Sequence, residues 1–263
     1  MNRYSSESTS LSALARELQI SAAGLGREAP LFSRPGGAGQ LELAAGSGLR
    51  ERALELSRLC RRVCAVHGIR IEQRGTLPEG PAVYVANHLG YIDPVVLCSI
   101  LRCSPIAKRE IRSWPWLGGV LGHLNVSFVR RGSPHSGARV LRHCLRTLEA
   151  GVSVLNFPEG TTSRGQLLPF HLGAFWLARR ARLPLVPVAV DFERVEMCWV
   201  DDEAFVPHYL RMCLGKLWGK QSNVRISLGE ALDPANFQSE IDLCFAAQRA
   251  IASLRRPYVD AAA

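Results

Sequence analysis

No window of this 263-residue chain offers the roughly 18 apolar residues needed to cross a bilayer, and the opening MNRYSSESTSLSALARELQI has no apolar core of signal-peptide length. Nothing in it is expected to span a membrane. It also lacks a Cys-x-x-Cys pair and any Cys/His cluster of zinc spacing. The eight cysteines (Cys60, Cys64, Cys98, Cys103, Cys144, Cys198, Cys213, Cys244) are scattered, which reads as reduced thiols of a cytoplasmic protein without a metal site. Cys60 and Cys64 lie four apart on an expected helix and can touch, but no second ligand pair stands near them, so packing accounts for them. No Gly-x-Ser-x-Gly elbow occurs, which argues against a serine hydrolase. The chain is short of acid: 32 Lys and Arg against 23 Asp and Glu leave a net charge of +9 and a pI near 9.5. Such a balance favours an anionic partner, be it phospholipid headgroups, nucleic acid or an acidic carrier protein, and charge alone does not choose among them.

What is present divides into three parts. Residues 1–48 are rich in Ser, Ala and Gly, with Pro30 and the run Pro35-Gly36-Gly37, and are expected to form a flexible arm. Within it Leu11, Leu14, Ala15 and Leu18 recur at helical spacing behind Ser8, Thr9 and Ser10, predicting one short helix over Ser10 to Gln19. Residues 49–67 read as a basic amphipathic helix, with Leu56, Leu59, Cys60, Val63 and Val66 on one side and five arginines elsewhere. Such a helix can lie on anionic lipid or pack on the core with its arginines solvated. From residue 68 to 263 short apolar runs alternate with helical stretches. Strands are predicted over Ile69–Glu72, Ala82–Ala86, Pro105–Lys108, Val126–Val129, Val152–Phe157 and Leu185–Val190. Helices are predicted over Pro94–Leu101, Trp114–Leu121, Gly137–Ala150, Ala174–Arg182 and Ser239–Leu254. The alternation argues one α/β domain with a mainly parallel central sheet flanked by helices, whose ligand site lies beyond the carboxyl ends of the strands.

Two motifs fall at such strand ends. The first, Asn87-His88-Leu89-Gly90-Tyr91-Ile92-Asp93-Pro94, places a histidine five residues before a carboxylate. On one straight helix those side chains point about 140° apart, so they meet only if the segment turns, which Gly90 permits. If they meet, the carboxylate accepts an imidazole N–H, fixes the tautomer and steadies the cation formed when the other nitrogen takes a proton. The competing reading is a plain helix start, with Asp93 as cap and Pro94 in the first turn. The second motif, Phe157-Pro158-Glu159-Gly160-Thr161-Thr162-Ser163-Arg164, follows the run Val152-Ser153-Val154-Leu155. Glu159 can hold a substrate hydroxyl or pair with a cation, and Gly160 lets backbone amides approach a ligand oxygen. An ordinary Pro-Glu-Gly turn is its competitor.

Taken together, Asn-His-x4-Asp followed by Phe-Pro-Glu-Gly-Thr resembles the 1-acylglycerol-3-phosphate acyltransferases, and glycerolipid acyltransferases more broadly. Lys108-Arg109-Glu110-Ile111 with Trp114-Pro115-Trp116-Leu117-Gly118 looks like that family's Lys-x-Glu-Leu segment. Phe128-Val129-Arg130-Arg131-Gly132 looks like its Phe-Ile-Asp-Arg block, and Leu183-Pro184-Leu185-Val186-Pro187-Val188 like its closing apolar strand. The resemblance runs from about residue 68 to 190. It implies His88 as base, Asp93 as the carboxylate that orients it, and Lys108, Arg131, Glu159, Gly160 and Thr161 in substrate binding, with Arg131 on the acceptor's anionic headgroup. The family often has Arg directly after Glu-Gly-Thr, where this chain has Thr162. The run Thr161-Thr162-Ser163 before Leu167-Leu168-Pro169-Phe170 looks somewhat like the lyso-ornithine lipid acyltransferase branch.

The resemblance implies transfer of a fatty acyl group from acyl-carrier protein or coenzyme A to the free hydroxyl of lysophosphatidic acid, giving phosphatidic acid, with another lysolipid such as lyso-ornithine lipid as the alternative acceptor. A thioester is already activated, so only a base and oxyanion stabilisation are needed, and neither cofactor nor enzyme nucleophile is expected. The protein is expected at the inner face of the cytoplasmic membrane, held peripherally on an anionic surface. Nucleic acid is not an expected partner, because no base-stacking signature or reading helix occurs.

Overall fold

The structure, a computed structural model, describes residues 48–113, 117–130, 134–199, 208 and 222–256. The arm through residue 47 with its predicted helix, Trp114 to Trp116, and Arg131 lie outside these residues. Helix α1 (Leu49–Val66) leads into β1 (Ile69–Arg74), β2 (Val83–Ala86), α2 (Asp93–Ile100) and β3 (Cys103–Lys108). A 3₁₀ turn over Arg109–Ser113 precedes α3 (Leu117–His123), β4 (Ser127–Val129), α4 (Pro134–Glu149) and β5 (Ser153–Asn156). Then come α5 (Gly173–Ala181), β6 (Leu185–Phe192), β7 (Ser222–Leu228) and α6 (Glu240–Leu254). The helix predicted from Trp114 begins at Leu117 among the described residues, and the other predicted elements fall within a few residues of their places.

The seven strands form one sheet in the order β1-β7-β6-β2-β5-β3-β4. Strands β6, β2, β5, β3 and β4 are parallel, as expected. Their sequences explain it. β2 and β6 are buried along their whole length, the mark of strands covered on both faces. Strand β7 was not anticipated; it runs antiparallel to β6 and parallel to β1, so both point against the other five. The reversal of β1 is dictated by its connection. Only residues 75–82 separate it from β2, whereas a parallel crossover takes a dozen or more residues.

The two faces are covered differently. Beneath one, α1 packs on α2 and buries Ala53, Leu56, Cys60 and Cys64, while Arg58, Arg61 and Arg62 stay exposed. Of the apolar side of this basic helix, Leu56 and Cys60 are thus enclosed within the fold, Leu59 and Val63 are half-buried, and Val66 at the end is exposed. On the other face Val140, Cys144 and Leu148 of α4, Phe175 and Leu177 of α5, and Leu243 and Ile251 of α6 make the main core against β2, β5 and β6. The seven described cysteines are buried free thiols. Cys60 meets Cys98, and this contact, with burial, raises the Cys60 thiol far above its ordinary value, while the nearby Cys60 helps raise that of Cys64. No described helix is long and apolar enough to cross a membrane.

Candidate active site

The carboxyl ends of β2 and β5, hydrogen-bonded neighbours in the sheet, carry the two motifs. Past Ala86 the ladder with β6 is continued by a side chain. Asn87 donates its amide to the Val190 carbonyl (3.0 Å) and accepts the Val190 N–H (2.8 Å), which anchors the loop before it turns. His88 follows, stacked on Phe157 with ring centroids 4.2 Å apart and its side chain 16% exposed.

The segment does turn, and His88 meets Asp93. Nδ1 lies 2.7 Å from Oδ2, and the same oxygen accepts the backbone N–H groups of Leu89 (2.5 Å) and Gly90 (2.9 Å). Asp93 is fully buried. It is the first residue of α2, behind an Ile92 cap that offers no side-chain bond, so it does not act as the helix cap of the competing reading. Its charge instead gathers the loop and one imidazole nitrogen. The tautomer with hydrogen on Nδ1 fits that carboxylate and leaves Nε2 as the nitrogen able to take a proton.

Gly90 serves differently from the expectation. Its φ is not positive. A Cβ there would lie 3.2 Å from the Trp199 nitrogen and 3.3 Å from the Met197 carbonyl, so glycine is needed for close approach rather than for a special dihedral. The Trp199 N–H donates to the Leu89 carbonyl at 2.7 Å, tying the far side of the loop.

The second motif grips His88 by its backbone. The His88 N–H donates to Oε1 of Glu159 (2.8 Å), and the His88 carbonyl accepts the Ser163 N–H (2.9 Å). The other oxygen of Glu159 accepts the Leu168 N–H at 2.9 Å. Glu159 is buried, and desolvation raises its carboxyl above the usual range although both amide bonds pull it down. Gly160 sits at φ +70°, and a Cβ there would come within 3.0 Å of the His171 ring. His171 is exposed, and its N–H holds the Pro158 carbonyl at 2.8 Å. Thr161 is half-buried beside these residues, and Thr162 is buried with no hydrogen bond to its hydroxyl among the described residues. Arg255 closes the rear of the loop through the Gly165 carbonyl at 2.6 Å and faces Asp191, whose carboxyl burial pushes up to about 6.

Of the residues singled out from sequence, His88, Asp93, Glu159, Gly160 and Thr161 form one cluster. Lys108 ends β3, two strands along from β2 and so about 10 Å away across the sheet. Arg109, Arg112 and Arg130 are exposed at the same edge, with Arg112 over the Phe128 ring at 6.0 Å. Asn87, Phe157, Ser163, Leu168 and His171 were not foreseen as parts of the site. The quoted segments contained Asn87, Phe157, Ser163 and Leu168, but only the folded backbone discloses what they hold.

Comparison with known proteins bears on this arrangement. The Acyltransferase family model matches residues 68–191. A lyso-ornithine lipid O-acyltransferase of Pseudomonas aeruginosa is 31% identical over 197 residues, covering 72% of this chain and 74% of that protein. The human 1-acyl-sn-glycerol-3-phosphate acyltransferase alpha is 37% identical over 140 residues, 48% of this chain and 47% of its own length. The crystal structure of a 1-acyl-sn-glycerophosphate acyltransferase from Thermotoga maritima shares the fold, with a TM-score of 0.56, 22% identity and coverage of 79% of this chain and 81% of that one. The chain belongs to the acyltransferase family. It is an enzyme that transfers acyl groups.

Proposed function

We propose that the enzyme moves a fatty acyl group from an acyl-carrier-protein or coenzyme A thioester to the free hydroxyl of a lysolipid, with lysophosphatidic acid as acceptor and phosphatidic acid as product. The observation that carries this reading is the His88–Asp93 pair at 2.7 Å, clamped by its backbone to the Glu159 loop. Nε2 of His88 takes the hydroxyl proton as the oxygen attacks the thioester carbonyl. The tetrahedral intermediate then collapses, and the thiol leaves with that proton. Base catalysis of this kind is worth about 10² to 10⁴ in rate. Asp93 steadies the imidazolium. Glu159, with both oxygens on backbone amides, acts by positioning His88, while Gly160 and Thr161 border the acceptor. Lys108 and Arg131 bind its anionic headgroup, with Arg109, Arg112 and Arg130 adding positive potential along the rim.

Thr162 favours a second acceptor, lyso-ornithine lipid. It stands where the family often carries an arginine, and its buried, uncharged hydroxyl offers no cation to a phosphate. The similarity to the Pseudomonas aeruginosa protein, which extends over most of both chains, points the same way. Incubating purified enzyme with radiolabelled acyl donor and each lysolipid in turn decides between them: product from lysophosphatidic acid supports the first reading, and product from lyso-ornithine lipid alone replaces it. Failure to acylate any lysolipid would remove both. Attachment to an anionic membrane surface belongs to the same proposal, and binding to anionic vesicles is expected to weaken as salt rises.

A further inference from the structure

The positive stripe of α1 is exposed, and its apolar stripe is largely covered against α2, leaving Val66 at its end as the one large apolar side chain of the helix that is exposed. Large apolar side chains are exposed together elsewhere. On α5 and the residue before it, Leu172 is 43% and Trp176 38% exposed; on α6, Ile241 is 52% and Phe245 54% exposed. Each pair is four residues apart, so each occupies one face of its helix.

The helices bring the pairs together. Gln248 of α6 donates to the Leu168 carbonyl (3.2 Å), just ahead of Leu172. At the other end Arg179 of α5 reaches the Phe237 carbonyl (2.6 Å) and Glu240 (3.3 Å), just ahead of Ile241. These ties run the helices antiparallel, with Trp176 and Phe245 between them. The same two helices carry exposed arginines: Arg180 stands four residues after Trp176, Arg249 four after Phe245, and Arg182 at the end of α5. Of the neighbouring acids, Glu240 is paired with Arg179, while Asp242 caps α6 through Ser239 and keeps its charge. One end of the strip is continuous with the active-site loop, since Leu168 binds Glu159 and His171 binds Pro158.

Resting on the lysolipid reading above, we propose that the solvent face of α5 and α6, centred on Trp176 and Phe245, is the surface that seats on an anionic lipid layer. An indole and a phenyl ring enter the headgroup boundary, the three arginines meet lipid phosphates, and the mouth beside His88 opens toward the layer holding the acceptor. A second copy of the chain or a protein partner would use the apolar strip but has no need of the arginine fringe.

The test is flotation of Trp176→Glu, Phe245→Glu and the double variant with phosphatidylglycerol–phosphatidylcholine vesicles, after their melting curves are matched to wild type. Trp176→Ala and Phe245→Ala serve if the charged variants misfold. The double variant is expected to bind roughly tenfold or more weakly. It should lose acylation of vesicle-borne lysolipid in proportion and keep wild-type turnover on a short-chain lysolipid below its aggregation threshold. Unchanged vesicle affinity overturns the proposal, as does a change confined to oligomeric state. A wild-type enzyme that floats through this face but acylates no lysolipid would sink the function and leave the docking surface standing.

Discussion

At the scale of single residues, the site depends on what is bonded to His88. His88→Ala removes the acceptor of the hydroxyl proton, while the Leu89 and Gly90 amides still hold Asp93, so turnover should fall by about 10² to 10⁴ with cooperative unfolding retained. A folded variant with near-normal turnover would end the mechanism. Asp93→Asn keeps an oxygen for the Leu89 and Gly90 amides, while removing the charge and turning the other oxygen into an N–H₂ group, and it should lose less than His88→Ala. Glu159→Gln is sharper. One of the two backbone donors must then face an amide N–H₂, at a cost of about 1–3 kcal/mol. On the proposed positioning role of Glu159, kcat should drop while the acceptor KM stays near wild type; a change confined to KM would place Glu159 on the substrate, as the sequence led us to expect.

At the scale of elements, the carboxyl ends of β2 and β5 form the site, and this much could be read in the chain. A buried apolar run followed by His and Asp, and another followed by Pro-Glu-Gly, are strand-end signals, and the β2–β5 pairing makes them adjacent. What could not be read is which atoms meet. The turn after β2 is set by Asp93 collecting three donors, and the room for Gly90 by the Met197–Trp199 segment more than a hundred residues on; such contacts leave no local pattern. Strand β7 did leave one, since Val224, Ile226 and Leu228 alternate with polar residues, but its direction depends on which neighbours it finds. Gly160→Ala tests the second loop as an element. Forcing a Cβ into a left-handed conformation costs about 1–2 kcal/mol, and the His171 ring must also retreat. A lowered melting temperature together with lowered turnover is the expected result, and wild-type behaviour in both would mean that the loop relaxes freely.

At the scale of the whole molecule, the last helix and the active-site loop are linked by charge. Arg255 reaches Gly165 of the loop and Asp191 at the end of β6. Burial raises the Asp191 carboxyl from 3.8 to about 6. A folded-state value above the unfolded one means that the folded protein binds the extra proton between roughly pH 4 and 6, so this group makes stability fall as pH rises through that window, by about 3 kcal/mol in all. His67, lowered by burial from 6.5 to about 4, acts oppositely: stability rises with pH across nearly the same range. Asp191→Asn removes the falling contribution, so melting temperature should climb more steeply between pH 4 and 6 than in wild type. Parallel slopes in the two proteins would show that Asp191 titrates normally.

The opposed pair β1 and β7 has a consequence in time. Ile69 is paired with Ser222, so 153 residues (222 − 69) of chain must be made before the first of these partners exists. At roughly 5–20 residues per second, β1 waits on the ribosome for about 8 to 30 s with its hydrogen-bonding edge unmatched. Its neighbour-to-be separates it from β6, so no earlier strand can take the place of β7 in the finished order. A nascent chain halted before Ser222 therefore presents an open strand bearing Ile69 and Ile71, a ready partner for another chain. Release of such halted chains should yield aggregates or chaperone-bound species, and release just beyond α6 should yield folded protein.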